Sequence, residues 1–430
     1  MSEFDAIVVG GGPAGSSSAI KMASSGLNVL LVERSDPPGS KNVSGGILWG
    51  KDLSAIVPDW EKNAPLERYI TAKGTGFLTS DSMISIDFRS KKLEAAKTGY
   101  SVLRAKLDQF LANKAKSSGA TLVTGVTVDK LAFEGDRVIG VLQDGDTITS
   151  DVVILAEGAN PRVAIDSGVR KPIGDRDIAI GIKQVIRLPE STINERFNLR
   201  GNQGFAGEYV LGFLQGTVKA GAFMYTNKDT ISLGIVVNMS GLRENNSTYS
   251  FNIMEQFASH PFIQPYIEGG KVEEYSAHLV CEGGINSVPK LSGNGYMIAG
   301  DSAGLTFSNG LVIQGMNYAI SSGIAAAETA IAAKAKNNFS SDFLSSYDRN
   351  LSSNYVLKDM NTFRGIENVT WSNLMHKAVP GIAENVMFRM FNETGQPKEH
   401  LSSILMDSVR ESKYSKSDLI IEAYRALRRL

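Results

Sequence analysis

Residues 4–34 read FDAIVVGGGPAGSSSAIKMASSGLNVLLVER, in the order strand, glycine turn, helix, strand. FDAIVVG is apolar and β-branched, the composition of a parallel strand buried on both faces. It runs straight into Gly10, Gly12 and Gly15 at the spacing G-x-G-x-x-G. GSSSAIKMASSG then gives a helical pattern closed by Gly26, and LNVLLVE gives a second strand ending at Glu33. That context makes a short motif specific. Gly10 permits the tight turn, Gly12 lets the backbone approach a pyrophosphate, and Gly15 lets the helix pack on the strand. Phosphate charge is favoured at the helix N-terminus by N–H groups and the dipole. Glu33, 18 residues after Gly15, is placed to accept from a ribose hydroxyl. An ordinary βαβ turn is the alternative, and the acid at position 33 argues against it.

The neighbouring residues separate FAD from NAD. Arg34 follows at once, and SKNVSGG comes at residues 40–46. A nicotinamide domain has no need of a second glycine-rich loop there. FAD does, because it is laid along the fold with its ring reaching a second domain. Ser44, Gly45 and Gly46 are read as flavin contacts on that ground, with a plain turn as the alternative. No second G-x-G-x-x-G opens a separate nicotinamide domain, so electrons are expected from a protein or a docking substrate.

Composition bounds the function classes. The chain has 430 residues, with 44 Lys plus Arg against 45 Asp plus Glu. A net charge of −1 gives no electrostatic reason to expect nucleic acid. Cys281 is the only cysteine. One thiol cannot build an internal disulfide framework, a thiolate zinc site or an iron–sulfur cluster, and a reducing compartment is the easier reading. The N-terminus has no basic segment ahead of its apolar run and reads as a strand, not a secretory signal. Residues 302–327 carry no charge, but glycines, serines and asparagines interrupt them. They read as a loop followed by a buried helix, not a membrane span.

Further along, SVLRAKLDQFLANKAKSSGA is amphipathic at helical spacing, with Arg104 at its start and placed to reach a bound dinucleotide. A β-meander follows and returns to the apolar strand 152–156, which ends at Glu157-Gly158. From about residue 177 to 279 the pattern is β-rich with frequent turns, an antiparallel second domain. Within it, residues 205–225 are unusually apolar, broken by Glu208 and Lys219. They read as sheet core, or as a wall for a lipophilic substrate or a membrane-dipping surface. Tyr296–Ala299 is a strand followed by Gly300-Asp301, where the acid can bond a ribityl chain. LVIQGM opens a long helix whose N-terminal dipole would face the flavin. The last ninety residues are helical, with apolar residues from Trp371 to Met390 at spacings of three and four and Pro380 as a break. They read as packed on the core, with a membrane-surface helix as the alternative. Four scattered histidines read as structural, and no metal site or side-chain catalyst is expected.

The expected fold is α/β plus antiparallel β. It is an FAD-binding doubly wound parallel sheet with an interleaved antiparallel substrate or quinone domain and a helical C-terminal region. The FAD-binding segments are 1–75, 100–165 and 290–345. The second domain takes 76–99 and 166–289, and the helical region 346–430.

With VVGGGPAGSSSA, VERSDPPGSKNVSGG, VILAEGAN, GIKQVI, FMYTNKDTISLGIVV, YMIAGDSAGL and LVIQGMNYAISSG in this order, the chain resembles the FixC family from residue 4 to about 365. That family is related to electron-transfer-flavoprotein:quinone oxidoreductase. Its wider superfamily has the p-hydroxybenzoate-hydroxylase-like FAD fold and includes geranylgeranyl reductases. The resemblance implies FAD bound through Gly10, Gly12, Pro13, Ala14, Gly15, Glu33 and Arg34. Further contacts are implied from Ser44 to Gly46, Arg104, Val126, Gly158, Gly300, Asp301, Val312, Ile313 and Met316. It implies electrons accepted from the alpha and beta subunits of an electron transfer flavoprotein and passed to quinone. A small ferredoxin-like, FixX-like iron–sulfur subunit is implied as partner, and bifurcation in some complexes. The implied place is cytoplasmic, peripheral on the inner face of the membrane. Two departures stand out. The chain lacks the cysteine-rich C-terminal domain of the one-chain quinone oxidoreductases, and Glu157-Gly158 replaces the commoner Asp-Gly. A prenyl-lipid reductase is the second reading, kept by Cys281 near Gly283-Gly284, although the tyrosine–tryptophan–phenylalanine–proline signature is missing. A flavin-binding assembly subunit without turnover is the third.

Overall fold

The computed structural model describes residues 2–41, 46–245, 248–310, 312–412, 414 and 416–429. Among these residues one eight-stranded and one nine-stranded sheet carry the fold. The strand Phe4–Val9 is central in the first, parallel to Val29–Glu33 on one side and Asp146–Leu155 on the other. Thr121–Thr124 and Tyr296–Ile298 extend it in parallel. The helices Pro13–Ser24, Arg104–Ser117 and Met316–Lys336 pack against these strands and one another. Ala6, Ile7 and Val8 are accordingly wholly buried, which is why the strand tolerates no polar alternation. Asp146–Leu155 does two jobs. Its first half pairs antiparallel with Arg137–Gln143 in the expected meander, and its second half enters the parallel sheet.

The uncharged stretch 302–327 breaks up as expected. A turn at Gly300–Ala303 leads to a short hairpin between Phe307–Ser308 and Ile313–Gln314, then to the helix Met316–Lys336. Among the described residues no helix is long and apolar enough to cross a membrane.

The second sheet runs in the spatial order Lys271–Cys281, Ile178–Arg187, Thr230–Asn238, Ala220–Thr226, Gln203–Leu211, Leu66–Leu78, Gly99–Val102, Gly46–Trp49. Its pairings are antiparallel with one exception. Gln203–Leu211 lies parallel to Leu66–Leu78, possible because a long crossover joins them. This sheet also takes in Gly46–Trp49 and residues 66–75, placed above in the first FAD-binding segment, because Gly99–Val102 pairs with both. Side chains alternate between its faces. One face, with Ile182, Tyr209, Met224, Leu233 and Ile235, buries against the helix Ser250–Ala258. The fully buried Arg68 staples one end, donating to the carbonyls of Gln203, Asn227 and Lys228 at 2.6–3.0 Å.

The C-terminal region departs from the expectation of a helix packed along its length. Pro380 does not interrupt it. A π-helical turn, Leu374–Ala378, leads directly into Val379–Phe391, and Pro380 sits in the first turn of that second helix. Leu374 and Ala378 are buried, but Phe388 is 64% and Phe391 77% exposed. The core contact ends where the helix runs past the sheets.

Candidate functional site

The helix Pro13–Ser24 starts at Gly12 with no side-chain cap and no acidic residue in its first turn. Its leading N–H groups therefore face outward as an anion site. A Cβ on Gly12 would meet only Arg104 Nη2, at 3.9 Å, whereas on Gly10 (φ +108°) it would stand 2.3 Å from the Ala156 carbonyl oxygen. Gly10, Gly12, Pro13 and Ala14 line one cavity of about 370 Å³, together with Glu33 and Arg34. Gly15 lies beneath, where a Cβ would fall 1.8 Å from the Gly10 carbonyl oxygen.

Glu33 is oriented by three donors. Gly11 N–H gives to Oε2 at 2.7 Å, and Ser35 N–H and Oγ give to Oε1 at 2.7 and 2.5 Å. A carboxylate has about four acceptor positions, so one is left toward the cavity. Val126 lies behind, its N–H 3.3 Å from the Glu33 carbonyl oxygen, and is not among the cavity-lining residues. Arg104 lines the cavity and is held by Asp108 through two bonds of 2.8 and 2.9 Å. Asp301, Gly158, Gly46, Val312, Ile313 and Met316 also line it. Gly300 supports it from below: its φ is +63°, and a Cβ there would press on Ala14 at 2.9 Å. Burial raises the Asp301 carboxyl, while Arg104 and His278 pull it back. Ser44 and Gly45 lie outside the described residues. Gly315, also lining the cavity, is the N-cap of Met316–Lys336, whose first turn again carries no acid.

The cavity continues onto the free face of the second sheet. Lys73 and Thr75, Glu208 and Val210, Phe223 and Tyr225, Val236, Lys183 and His278 all line it. Their register puts them on one face of adjacent strands. Lys73 Nζ sits 2.7 and 2.9 Å from the two Glu208 oxygens. Tyr225 Oη donates to Glu208 at 3.5 Å. Burial raises the Glu208 carboxyl, although Lys73 and Tyr225 pull it down. Lys183 is 3% exposed. Burial, then Arg104, holds its ammonium well below the ordinary lysine range, and its Nζ lies 5.3 Å from the Phe223 ring centroid. Trp371, Met375 and His376 close a third side. Burial pushes His376 down to about 4, and its Nε2 donates to the Thr370 carbonyl at 2.9 Å.

Sequence reasoning did not single out Lys73, Lys183 or Tyr225, and it treated Glu208 only as an interruption. The available signal was a charge in the middle of an otherwise apolar strand. His278 and His376, read as structural, do reach the cavity wall. Glu157 lines the cavity and also caps a helix, accepting from Val163 and Ala164 N–H at 2.7 and 3.1 Å, and burial pushes it up to about 7. Cys281 is buried and lines a separate small cavity, its Sγ donating to the Asp301 carbonyl at 3.4 Å. Burial raises that thiol far above its ordinary range. Among the described residues no cluster of three or more His, Cys, Asp or Glu is arranged to hold a metal ion.

Two family models match successive parts of the chain. Residues 5–175 match the family model for lycopene cyclase protein, and residues 178–280 the model for ETF-QO, ubiquinone-binding. YdiS of Escherichia coli (strain K12), described as a probable electron transfer flavoprotein-quinone oxidoreductase, is 39% identical over 410 residues, 95% of each chain. Protein FixC of the same strain is 40% identical over 406 residues, 93% of each chain. A solved geranylgeranyl bacteriochlorophyll reductase-like protein from Thermoplasma acidophilum shares the fold, with a TM-score of 0.70, 19% identity, and 98% and 99% of the two chains covered. The uncapped helix at Gly12, the open turn beside it and the oriented Glu33 fit FAD, which supplies two-electron redox chemistry when bound. The chain is an FAD-dependent oxidoreductase and belongs to the FixC family of electron transfer flavoprotein-quinone oxidoreductase-like proteins.

Proposed function

We propose that the chain accepts electrons from the alpha and beta subunits of an electron transfer flavoprotein, through its FAD, and passes them to a quinone in the cavity. The observation that carries this is the continuity of one cavity, from the Gly12 turn to the Lys73–Glu208 face of the second sheet. That face is built largely from the residues that match the ubiquinone-binding model. The turn at Gly12 and Arg104 hold the pyrophosphate end, and Glu33 a ribose. Asp301 meets the ribityl chain, and the helix N-terminus at Met316 stabilises negative charge on the ring. The apolar walls Val210, Phe223 and Val236 exclude water and suit a lipophilic ring.

The reading extends to assembly. With Cys281 as the only cysteine, an iron–sulfur centre belongs to a separate, ferredoxin-like, FixX-like subunit. Peripheral contact with the cytoplasmic face of the membrane is supported by the exposed Phe388, Phe391, Leu401 and Leu405. The prenyl-reductase reading lacks comparable support, because Cys281 does not line the large cavity.

The test is anaerobic stopped-flow of the purified yellow protein. Mixing with reduced electron transfer flavoprotein should bleach the flavin, and a quinone analogue should restore it. Simultaneous ferredoxin reduction would mark bifurcation. Restoration by a geranylgeranyl lipid with quinone inert would overturn the reading in favour of a prenyl reductase. A flavin that no partner reduces would mean an assembly subunit.

A further inference from the structure

Glu208 and Lys73 form a bidentate ion pair in a place where structure alone does not require one. Both side chains project from the cavity face of the second sheet, and the opposite face of the same strands is apolar core. Burying such a pair costs more desolvation than it returns unless its geometry is good and other bonds complete it. Here Lys73 meets both carboxylate oxygens, and Tyr225 adds a third contact. The exposure is graded as well: the Lys73 side chain is 22% exposed and that of Glu208 16%.

We infer that Glu208 is the internal acid that delivers a proton to the acceptor reduced in this cavity, with Lys73 recharging it from solvent. The inference rests on the quinone reading above. The balance demands such a group. FADH⁻ and a quinone Q become FAD and QH₂ only when one further proton is supplied. Two electrons and one proton leave the cofactor, and the second proton must cross a water-excluding wall. Glu208, a carboxylate at rest beside the Lys73 ammonium, takes the Lys73 proton and passes it to a quinone oxygen, ending as the carboxylate it began as. The Lys73 amine then takes one from water. Tyr225, whose phenol burial keeps protonated, steadies the carboxylate between turnovers. Other titratable groups on the cavity wall include Lys183 and His278 on the same sheet, His376 from the Leu374–Ala378 turn, and Arg104, Glu157 and Asp301 toward the Gly12 end. Burial, then Arg104, lowers Lys183, and Lys73 is the cation bonded to both Glu208 oxygens. His376, neutral by burial, is spent as a donor on the Thr370 carbonyl.

The test compares wild type with Glu208→Gln and Glu208→Asp. Flavin content and reduction by electron transfer flavoprotein should match wild type in both. Quinone-driven reoxidation should slow by about 100-fold or more in Glu208→Gln, the usual span for a lost general acid, and recover in part in Glu208→Asp. Ferricenium, which takes electrons without protons, should reoxidise all three at the same rate within about twofold. A second readout is equilibrium binding of a non-reducible quinone analogue, by fluorescence quenching. Its affinity for wild type should fall as pH rises through the titration of Glu208, and its affinity for Glu208→Gln should be flat. Quinone reoxidation of Glu208→Gln within twofold of wild type would overturn the inference. So would equal slowing with quinone and ferricenium, the mark of a structural role. A wild type that ferricenium reoxidises and quinone does not would overturn the quinone reading itself.

Discussion

The carbonyl oxygen of Ala14 lies 2.2 Å from where a Cβ on Gly323 would stand. The helices Pro13–Ser24 and Met316–Lys336 thus touch backbone to backbone, and Ser18 Oγ donates to the Gly323 carbonyl at 2.6 Å. Both helices open their N-termini on the cavity. This contact sets the spacing between the two helix N-termini, to which the proposed function assigns the pyrophosphate and the ring.

Gly323→Ala should therefore cost roughly 1–3 kcal/mol, the usual penalty for overpacking. Flavin retention should fall with it, because the two N-termini are pushed apart. Thermal melts and the flavin-to-protein absorbance ratio check both. Gly381→Ala is the control. Nothing lies within 4 Å of its added Cβ, and it sits inside the helix Val379–Phe391. It should stabilise by about 0.4–1 kcal/mol.

Gly12→Val should leave the fold intact and abolish the yellow colour. The new side chain enters open space beside Arg104, the space assigned to the pyrophosphate. A native circular dichroism spectrum with less than about a tenth of the bound flavin is expected. Full flavin occupancy would sink the assignment of this turn.

Glu33→Ala strips the acceptors from Gly11 N–H and from both Ser35 donors. At about 1–3 kcal/mol for such a charge-assisted network, FAD affinity should drop at least about tenfold. Dialysis against apo-protein, followed by flavin fluorescence, measures it.

Glu282 provides a pH test. Burial pushes it up to about 8, against a pull from Trp371. The folded protein then holds a proton that the unfolded chain releases near its ordinary value of about 4.3. Stability from this group is full at low pH and is lost as pH rises from about 4.3 to about 8. Urea midpoints should decline over that window, and Glu282→Gln should flatten the decline. Glu157, at about 7, leaves a smaller slope in the variant.

Cys281→Ala should leave quinone-driven reoxidation within about twofold of wild type, since the thiol faces the Asp301 carbonyl and not the large cavity. The native thiol should also react slowly with Ellman's reagent. A large loss of activity would reopen a reductase role for the cysteine.

The residues expected at the cofactor end fall together in space. Gly10, Gly12, Glu33, Arg104 and Asp301 stand around one cavity, as their positions at strand ends and helix starts suggested. Val126 was placed by resemblance and sits one layer back, donating to the Glu33 carbonyl. The helix Val379–Phe391 misled in a different way. Its apolar spacing is genuine, yet periodicity reports only that a face exists, not what covers it.

Residues 4–34 determine their own fold because every signal in them is local: β-branched runs, glycine spacing, an acid at the next strand end. The far wall of the cavity is different. Lys73, Lys183, Glu208 and His278 sit on four strands far apart in the chain. Side-chain direction in a strand alternates, so a slip of one residue would turn each charge into the opposite core. Only the pairing of Glu208 with Thr75 and Phe223, and of Lys183 with Gly234 and Ser276, puts them on one face. That register is decided by long-range packing, and so the charged wall of the cavity exists only once the sheet is built.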